Sequence, residues 1–102
     1  MASRRRVGWT PEAQRTLEEV IEYIARDSED GARRVLEQAL SAAASLETLA
    51  ERGRVVPERA DPSIREIFVY PYRLMYQVTA DAVSILAFIH GARDFERWRR
   101  EP

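Results

Sequence analysis

Four side chains in the C-terminal half of the chain, Arg65, Glu66, Arg73 and His90, are of types that hold anions or move protons. Arg65 and Arg73 fall near corresponding positions on two stretches that read as neighbouring strands. A guanidinium pair so placed can hold a phosphate or a partner's carboxylates. His90 opens the run His90-Gly91-Ala92-Arg93-Asp94, where it could serve as a proton-transfer group with Arg93 as an anion contact. Each has a structural competitor. Arg65 and Arg73 can pair with Glu66 or Glu58, Arg93 with Asp94 or Glu96, and His90 can be hydrogen-bonded at a strand end. A lone histidine with no cysteine and no second histidine makes no metal site.

These residues sit in a stretch that reads as a three-stranded meander. Residues 64–70 are dense in β-branched and aromatic types, Pro71 interrupts them, 72–79 resumes, and 82–90 closes. Ala80-Asp81 suits a tight hairpin, so the last two strands are antiparallel neighbours. Along 72–79 the period is two. Tyr72, Leu74, Tyr76 and Val78 share one face, and Arg73, Met75, Gln77 and Thr79 share the other. That parity makes Tyr72 and Tyr76 core residues rather than base-stacking ones.

Upstream, residues 4–9 can form a short first strand with Val7 and Trp9 inward. Thr10-Pro11-Glu12 starts a helix with a hydroxyl cap, proline at the first helical position and an acid in the first turn. Ala13, Leu17, Val20, Ile21 and Ile24 give it one apolar stripe, to about Arg26. After the polar link 27–30, a second stripe from Ala32 through Leu36, Ala39, Ala43, Leu46 and Leu49 predicts a helix reaching Arg52-Gly53. Gly53 would be a left-handed C-cap there. A link this short folds the two helices into an antiparallel hairpin. Residues 53–63 read as one extended loop, and 92–100 as one or two helical turns carrying Phe95 and Trp98.

The expected fold is α+β, in the order β-α-α-β-β-β with a short C-terminal helix. A helical hairpin covers one side of an antiparallel sheet in two layers, within a single domain over 1–102. The other sheet face, near Arg65, Arg73 and His90, is then expected to be concave and open. The partner of the first strand does not follow from the sequence.

Composition narrows the function classes. The 102 residues include no cysteine, which removes disulfides, thiolate metal sites and cysteine nucleophiles. The N-terminus is charged without an apolar core after it, and no run approaches membrane-spanning length, so the expected location is the cytoplasm and no membrane partner is implied. The net charge of −1 hides an asymmetry: residues 10–51 hold four arginines against ten carboxylates, and the remainder holds twelve against seven. All 16 basic residues are arginine, which reads first as a compositional bias. No phosphate-cradling glycine loop, zinc spacing or hydrolase signature occurs.

Several pieces coincide, in order, with one family. They are WTPEA (9–13), LxxVIxYI (17–24), GRxVPE (53–58), RE (65–66), YRLMY (72–76) and ILAFIHGARD (85–94). Over nearly its whole length the chain resembles a toxin of the RelE/ParE superfamily of type II toxin–antitoxin modules, whose fold has the order read above. The absence of lysine, the slightly negative net charge, the lack of a tyrosine after Tyr76, and the GRxVPE and HGARD pieces favour the ParE branch, whose known members poison DNA gyrase rather than catalyse a reaction. On that branch the resemblance implies target contacts at Arg93, Arg97, Trp98, Arg99 and Arg100. The RelE alternative is a ribosome-dependent mRNA endoribonuclease, with Arg65 and Arg73 stabilising the phosphorane and His90 or Glu66 moving protons. A third reading is a non-toxic interaction module. The resemblance further implies a cognate antitoxin, ParD-like or RelB-like, whose acidic amphipathic segment meets Arg54, Arg65, Arg73 and Tyr70. Operator DNA would be read through the antitoxin only. No cofactor and no metal are implied.

Overall fold

The computed structural model describes residues 4–91. The elements are β1 (Arg6–Trp9), α1 (Pro11–Ala25), α2 (Glu29–Ser45), β2 (Arg54–Val55), β3 (Ile64–Val69), β4 (Tyr72–Val78) and β5 (Ala82–His90). The expected C-terminal helix over 92–100 lies outside the described residues.

Both helices start where their caps dictate. The Thr10 hydroxyl accepts from the Ala13 N–H at 3.1 Å and donates to the Ile85 carbonyl at 2.8 Å, so one side chain starts α1 and ties it to β5. Ser28 accepts from the Gly31 N–H at 2.9 Å, with Glu29 and Asp30 in the first turn of α2. α2 stops earlier than its stripe predicts. It ends at Ser45, and turns carry the chain on, leaving Leu46 and Ala50 buried but Leu49 exposed.

Gly53 is no left-handed cap either, since no glycine in the described chain has positive φ. It is glycine because a Cβ there would lie 2.5 Å from both the Glu66 carbonyl oxygen and the Tyr76 hydroxyl. That hydroxyl accepts from the Gly53 N–H at 3.0 Å and donates to the Ala50 carbonyl at 2.8 Å, pinning the end of the helical hairpin to the sheet.

The five strands run in the order β1-β5-β4-β3-β2. β1 lies parallel to β5, with Trp9 beside Ile85, while the other pairs are antiparallel. The sheet is thus mixed, where an antiparallel one was expected. β4 had its two edges filled by hairpin neighbours, and β5 offered its remaining edge to the returning N-terminus. β2 also falls inside the expected loop, pairing Arg54 with Glu66 and Val55 with Arg65.

The hairpin α1–α2 covers one sheet face. Tyr72, Leu74, Tyr76, Val83, Ile85 and Phe88 are buried there against Ala13, Leu17, Ala39 and Ala43. The second face is not open. Val56, Ile64, Met75, Ala87 and Ile89 form a smaller buried cluster on it, closed by the segment between β2 and β3. A bulge between Met75 and Tyr76 fits the long β5 to both clusters.

Candidate functional site

A network of four charged side chains lies on this second face. Glu66 on β3 is 1% exposed, and its two carboxylate oxygens serve two arginines. Oε1 accepts from the Arg73 Nε on β4, and Oε2 accepts from the Arg54 Nε on β2 at 2.6 Å. Arg73, itself 5% exposed, also donates from Nη2 to Glu58 Oε1 at 3.2 Å. The chain Arg54–Glu66–Arg73–Glu58 therefore alternates in sign and balances in charge. The Arg54 guanidinium lies 5.1 Å from the Phe68 ring centroid and so is held from two sides.

The electrostatics follow from this pairing. Burial alone would lower the Arg73 pKa, but the hydrogen bonds to Glu66 and Glu58 outweigh it and leave the group above ordinary arginine. At Glu58 burial would raise the pKa, yet the Arg73 hydrogen bond and charge bring the carboxyl below its usual range. The Arg73 guanidinium is thus a permanent cation already committed to two carboxylates.

The residues singled out from the sequence do not converge. Strand register pairs Arg65 with Tyr76 and Phe68 with Arg73, so Arg65 and Arg73 project to opposite faces and form no anion clamp. Arg65 instead donates from Nη1 to the Gly53 carbonyl at 2.7 Å and the Glu51 carbonyl at 3.3 Å, bracing the turn before β2. His90 pairs with Tyr72 and meets its ring edge-on, at 5.9 Å between centroids, on the face opposite Arg73. The expected open face bearing Arg65, Arg73 and His90 is therefore corrected: two of the three lie on the other side, and the third is buried. Glu66 holds two arginines and has no side-chain oxygen left over for a proton relay. Of the surface residues expected to meet an antitoxin, Tyr70 is 90% exposed and the Arg54 side chain 55%, whereas Arg73 is inaccessible. Arg93, Arg97, Trp98, Arg99 and Arg100 lie outside the described residues.

An apolar groove beside the helices was implied by the resemblance, but the residues lining the cleft between α2 and the outer edge of β3 were not read from the sequence. The cleft is about 670 Å³ in volume and is lined by Arg34, Ala42, Arg52, Ile67, Phe68 and Tyr70, among others. The available signal was Phe68-Val69-Tyr70, an apolar run longer than one buried face needs. Among the described residues, no group of three or more His, Asp or Glu side chains is placed to hold a metal ion. No described helix is long and apolar enough to cross a membrane.

Comparison with known proteins places this geometry in context. Residues 7–95 match the family model for the ParE toxin of the type II toxin–antitoxin system, parDE. The chain is 37% identical over 91 residues to the candidate toxin Y4kP of Sinorhizobium fredii (strain NBRC 101917 / NGR234), covering 87% of this chain and 91% of that protein. Its fold is similar to that of a chain in the structure of a chromosomal ParDE toxin–antitoxin system from P. aeruginosa. There the TM-score is 0.67 at 18% identity, over 84% of this chain and 95% of the other.

Proposed function

Because the chain belongs to the ParE toxin family of type II toxin–antitoxin systems, we propose that it arrests bacterial growth by inhibiting DNA gyrase, and that a cognate antitoxin neutralises it by binding across its surface. The observation that carries the choice of a non-catalytic mode is the fate of Arg73. A phosphodiester-cleaving site needs an accessible cation beside the scissile phosphate and a proton-transfer group within hydrogen-bond reach of it. Arg73 is enclosed by Glu66 and Glu58, with His90 across the sheet. Opening the site would cost the buried pair.

Inhibition of another enzyme needs only a rigid body and exposed contact groups. In this reading the target contacts are Arg93, Arg97, Trp98, Arg99 and Arg100, and the family match, which ends at residue 95, takes in Arg93 alone of these. Arg54 and Tyr70 are the antitoxin contacts among the residues named from the sequence. Operator DNA is bound by the antitoxin rather than by this chain.

Induced expression in bacteria, followed by a supercoiling assay with purified protein and gyrase, tests the reading. Filamentation with DNA damage, loss of supercoiling, and rescue by the product of the adjacent reading frame are the expected results. Untouched gyrase together with ribosome-dependent mRNA cuts would replace the reading with an endoribonuclease. Expression without any growth defect would replace it with a non-toxic interaction module.

A further inference from the structure

β1 ends the sheet on the side away from β2. The N–H groups of Arg6 and Thr10 donate to the Asp81 and Ile85 carbonyls on the β5 side, at 3.2 and 3.1 Å. Even-numbered residues of β1 therefore turn their main-chain groups toward β5, and odd-numbered ones outward. The Arg5 N–H meets the Glu47 carbonyl on that outer side, at 2.8 Å. Past it, the main-chain groups of Val7 and Trp9 face an edge that no strand occupies among the described residues. Gln14 Nε2 reaches the Trp9 carbonyl at 3.5 Å, a long contact that a strand can displace. The edge borders a cleft of about 460 Å³ against α2, lined by Arg4, Arg6, Val7, Trp9, Leu40 and Glu47, among others. Leu40 is 46% exposed beside it. Gly8 stands between the two outward-facing residues. Its φ is not positive and a Cβ there would meet nothing within 4 Å, so no contact among the described residues calls for glycine. Glycine inside a strand often marks the close approach of another backbone.

We propose that this edge receives β1 of a second copy of the chain, antiparallel about a two-fold axis at Gly8, so that two five-stranded sheets become one. The inference goes beyond the toxin reading and does not rest on it. The axis sets Val7 of each copy against Trp9 of the other, and each such pair exchanges both its N–H and C=O groups. An aliphatic side chain then lies opposite an aromatic one, beside Leu40. Gly8 meets its counterpart in a non-hydrogen-bonded pair, the closer of the two kinds. Charge selects a second copy over a foreign strand. Residues 4–6 are three arginines, whereas residues 11–25 hold four glutamates against one arginine. The register sets Arg6 opposite Thr10 and carries Arg4 toward the first turn of the other copy's α1, where Glu12 stands. Each end of the pair thus joins a basic strand start to an acidic helix start. Within one chain Arg4 is held by Glu47, and Glu12 holds Arg15, in exposed pairs that exchange at little cost. Arg6 and its counterpart stand four residues apart along the pair, about 14 Å, which exceeds a Debye length of about 8 Å. A foreign acidic strand would answer the arginines and leave the acid excess of α1 unanswered.

The test is sedimentation velocity on the purified chain over a range of concentrations, with hydrogen exchange on the same samples. A species of twice the 11.8 kDa of one chain is expected as concentration rises, with exchange slowing at the Val7 and Trp9 amides in step. Val7→Pro removes the N–H that faces the open edge, and is expected to weaken the dimer at least tenfold with the circular dichroism unchanged. Gly8→Arg has open space within one chain but sets like charges directly across the axis, and is expected to abolish the dimer. Arg4→Glu is expected to weaken it, and Arg4→Glu combined with Glu12→Arg to restore it. Because the exchange measurement uses the wild-type chain, the proposal stays testable even where a variant fails to fold. A monomer at every concentration overturns the inference, as does a dimer that leaves the Val7 and Trp9 amides unprotected. A dimer that survives both Val7→Pro and Gly8→Arg overturns it too, and a charge swap without rescue overturns the register. Protection of β1 that appears only with the product of the adjacent reading frame overturns it in favour of another protein as the occupant.

Discussion

Replacing Glu66 by alanine removes the anion at the centre of the second-face network. The Arg73 side chain is 6% exposed and would keep Glu58, at 3.2 Å and itself 40% exposed. Breaking a buried ion pair from one side costs about 3–5 kcal/mol, because a charge is left without its partner. The remaining Glu58 contact argues for the lower end, and Arg54 rehydrates at little cost. A loss of about 3 kcal/mol in a domain of this size lowers the melting temperature by roughly 12–24 °C. Urea denaturation followed by circular dichroism reads the free energy directly. Glu58→Ala and Arg54→Ala, at the exposed ends, should each cost no more than about 1 kcal/mol. Glu66→Leu combined with Arg73→Met should recover most of the loss, since apolar replacements of buried pairs are often neutral. A Glu66→Ala cost no larger than that of Glu58→Ala would refute the reasoning, as would a double variant whose cost is the sum of the two single ones.

Gly53→Ala should destabilise by about 1–3 kcal/mol in the same assay, because its methyl group meets the Glu66 carbonyl and the Tyr76 hydroxyl at 2.5 Å. Tyr76→Phe leaves the buried Gly53 N–H without its acceptor and should cost about 1–3 kcal/mol. Burial raises the Tyr76 pKa despite the hydrogen bond from Gly53, so the folded state holds that proton longer. Its contribution is complete below pH about 10 and is lost as pH rises through the folded value, a dependence that alkaline melts of Tyr76→Phe should lack. Glu58, where hydrogen bonding to Arg73 overcomes burial, and Asp61, held down by hydrogen bonds from Ser63, both have depressed pKa values. Their stabilisation is present above pH about 4.3 and is lost as pH falls through the folded values, so acid melts of Glu58→Gln with Asp61→Asn should be flatter.

Local rules placed most elements, and they failed where the answer depended on distant chain. Ala82–His90 and the start of α1 followed from composition and its cap, and the parity of Tyr72, Leu74, Tyr76 and Val78 gave the main core. The parallel pairing of β1 with β5 joins residues such as Trp9 and Ile85, and no local pattern reports such a contact. The site was misread for a more instructive reason. A turn of Tyr70 and Pro71 pairs Val69 with Tyr72, and counting back from it sets Arg73 against Phe68 and Arg65 against Tyr76. The opposite facing of the two arginines was therefore legible. So was the covered second face: Ile85-Leu86-Ala87-Phe88-Ile89 is apolar without alternation, the mark of a strand buried on both sides.

This double burial bears on which groups the chain can offer a protein partner. Helices cover one sheet face, and Val56, from the segment between β2 and β3, is buried against the other. Among the described residues, the exposed groups at the sheet perimeter include the rim arginines Arg34 and Arg52 and the aromatic pair Phe68 and Tyr70. Perimeter groups suit recognition, because edge main-chain groups and rim charges exchange water for a partner without dismantling the core. The Arg54–Glu66–Arg73 chain, buried at Glu66 and Arg73, clamps β2, β3 and β4 together where the pairing of β2 with β3 ends. Loosening it should therefore speed amide hydrogen exchange across β2 and β3 while leaving α1 protected.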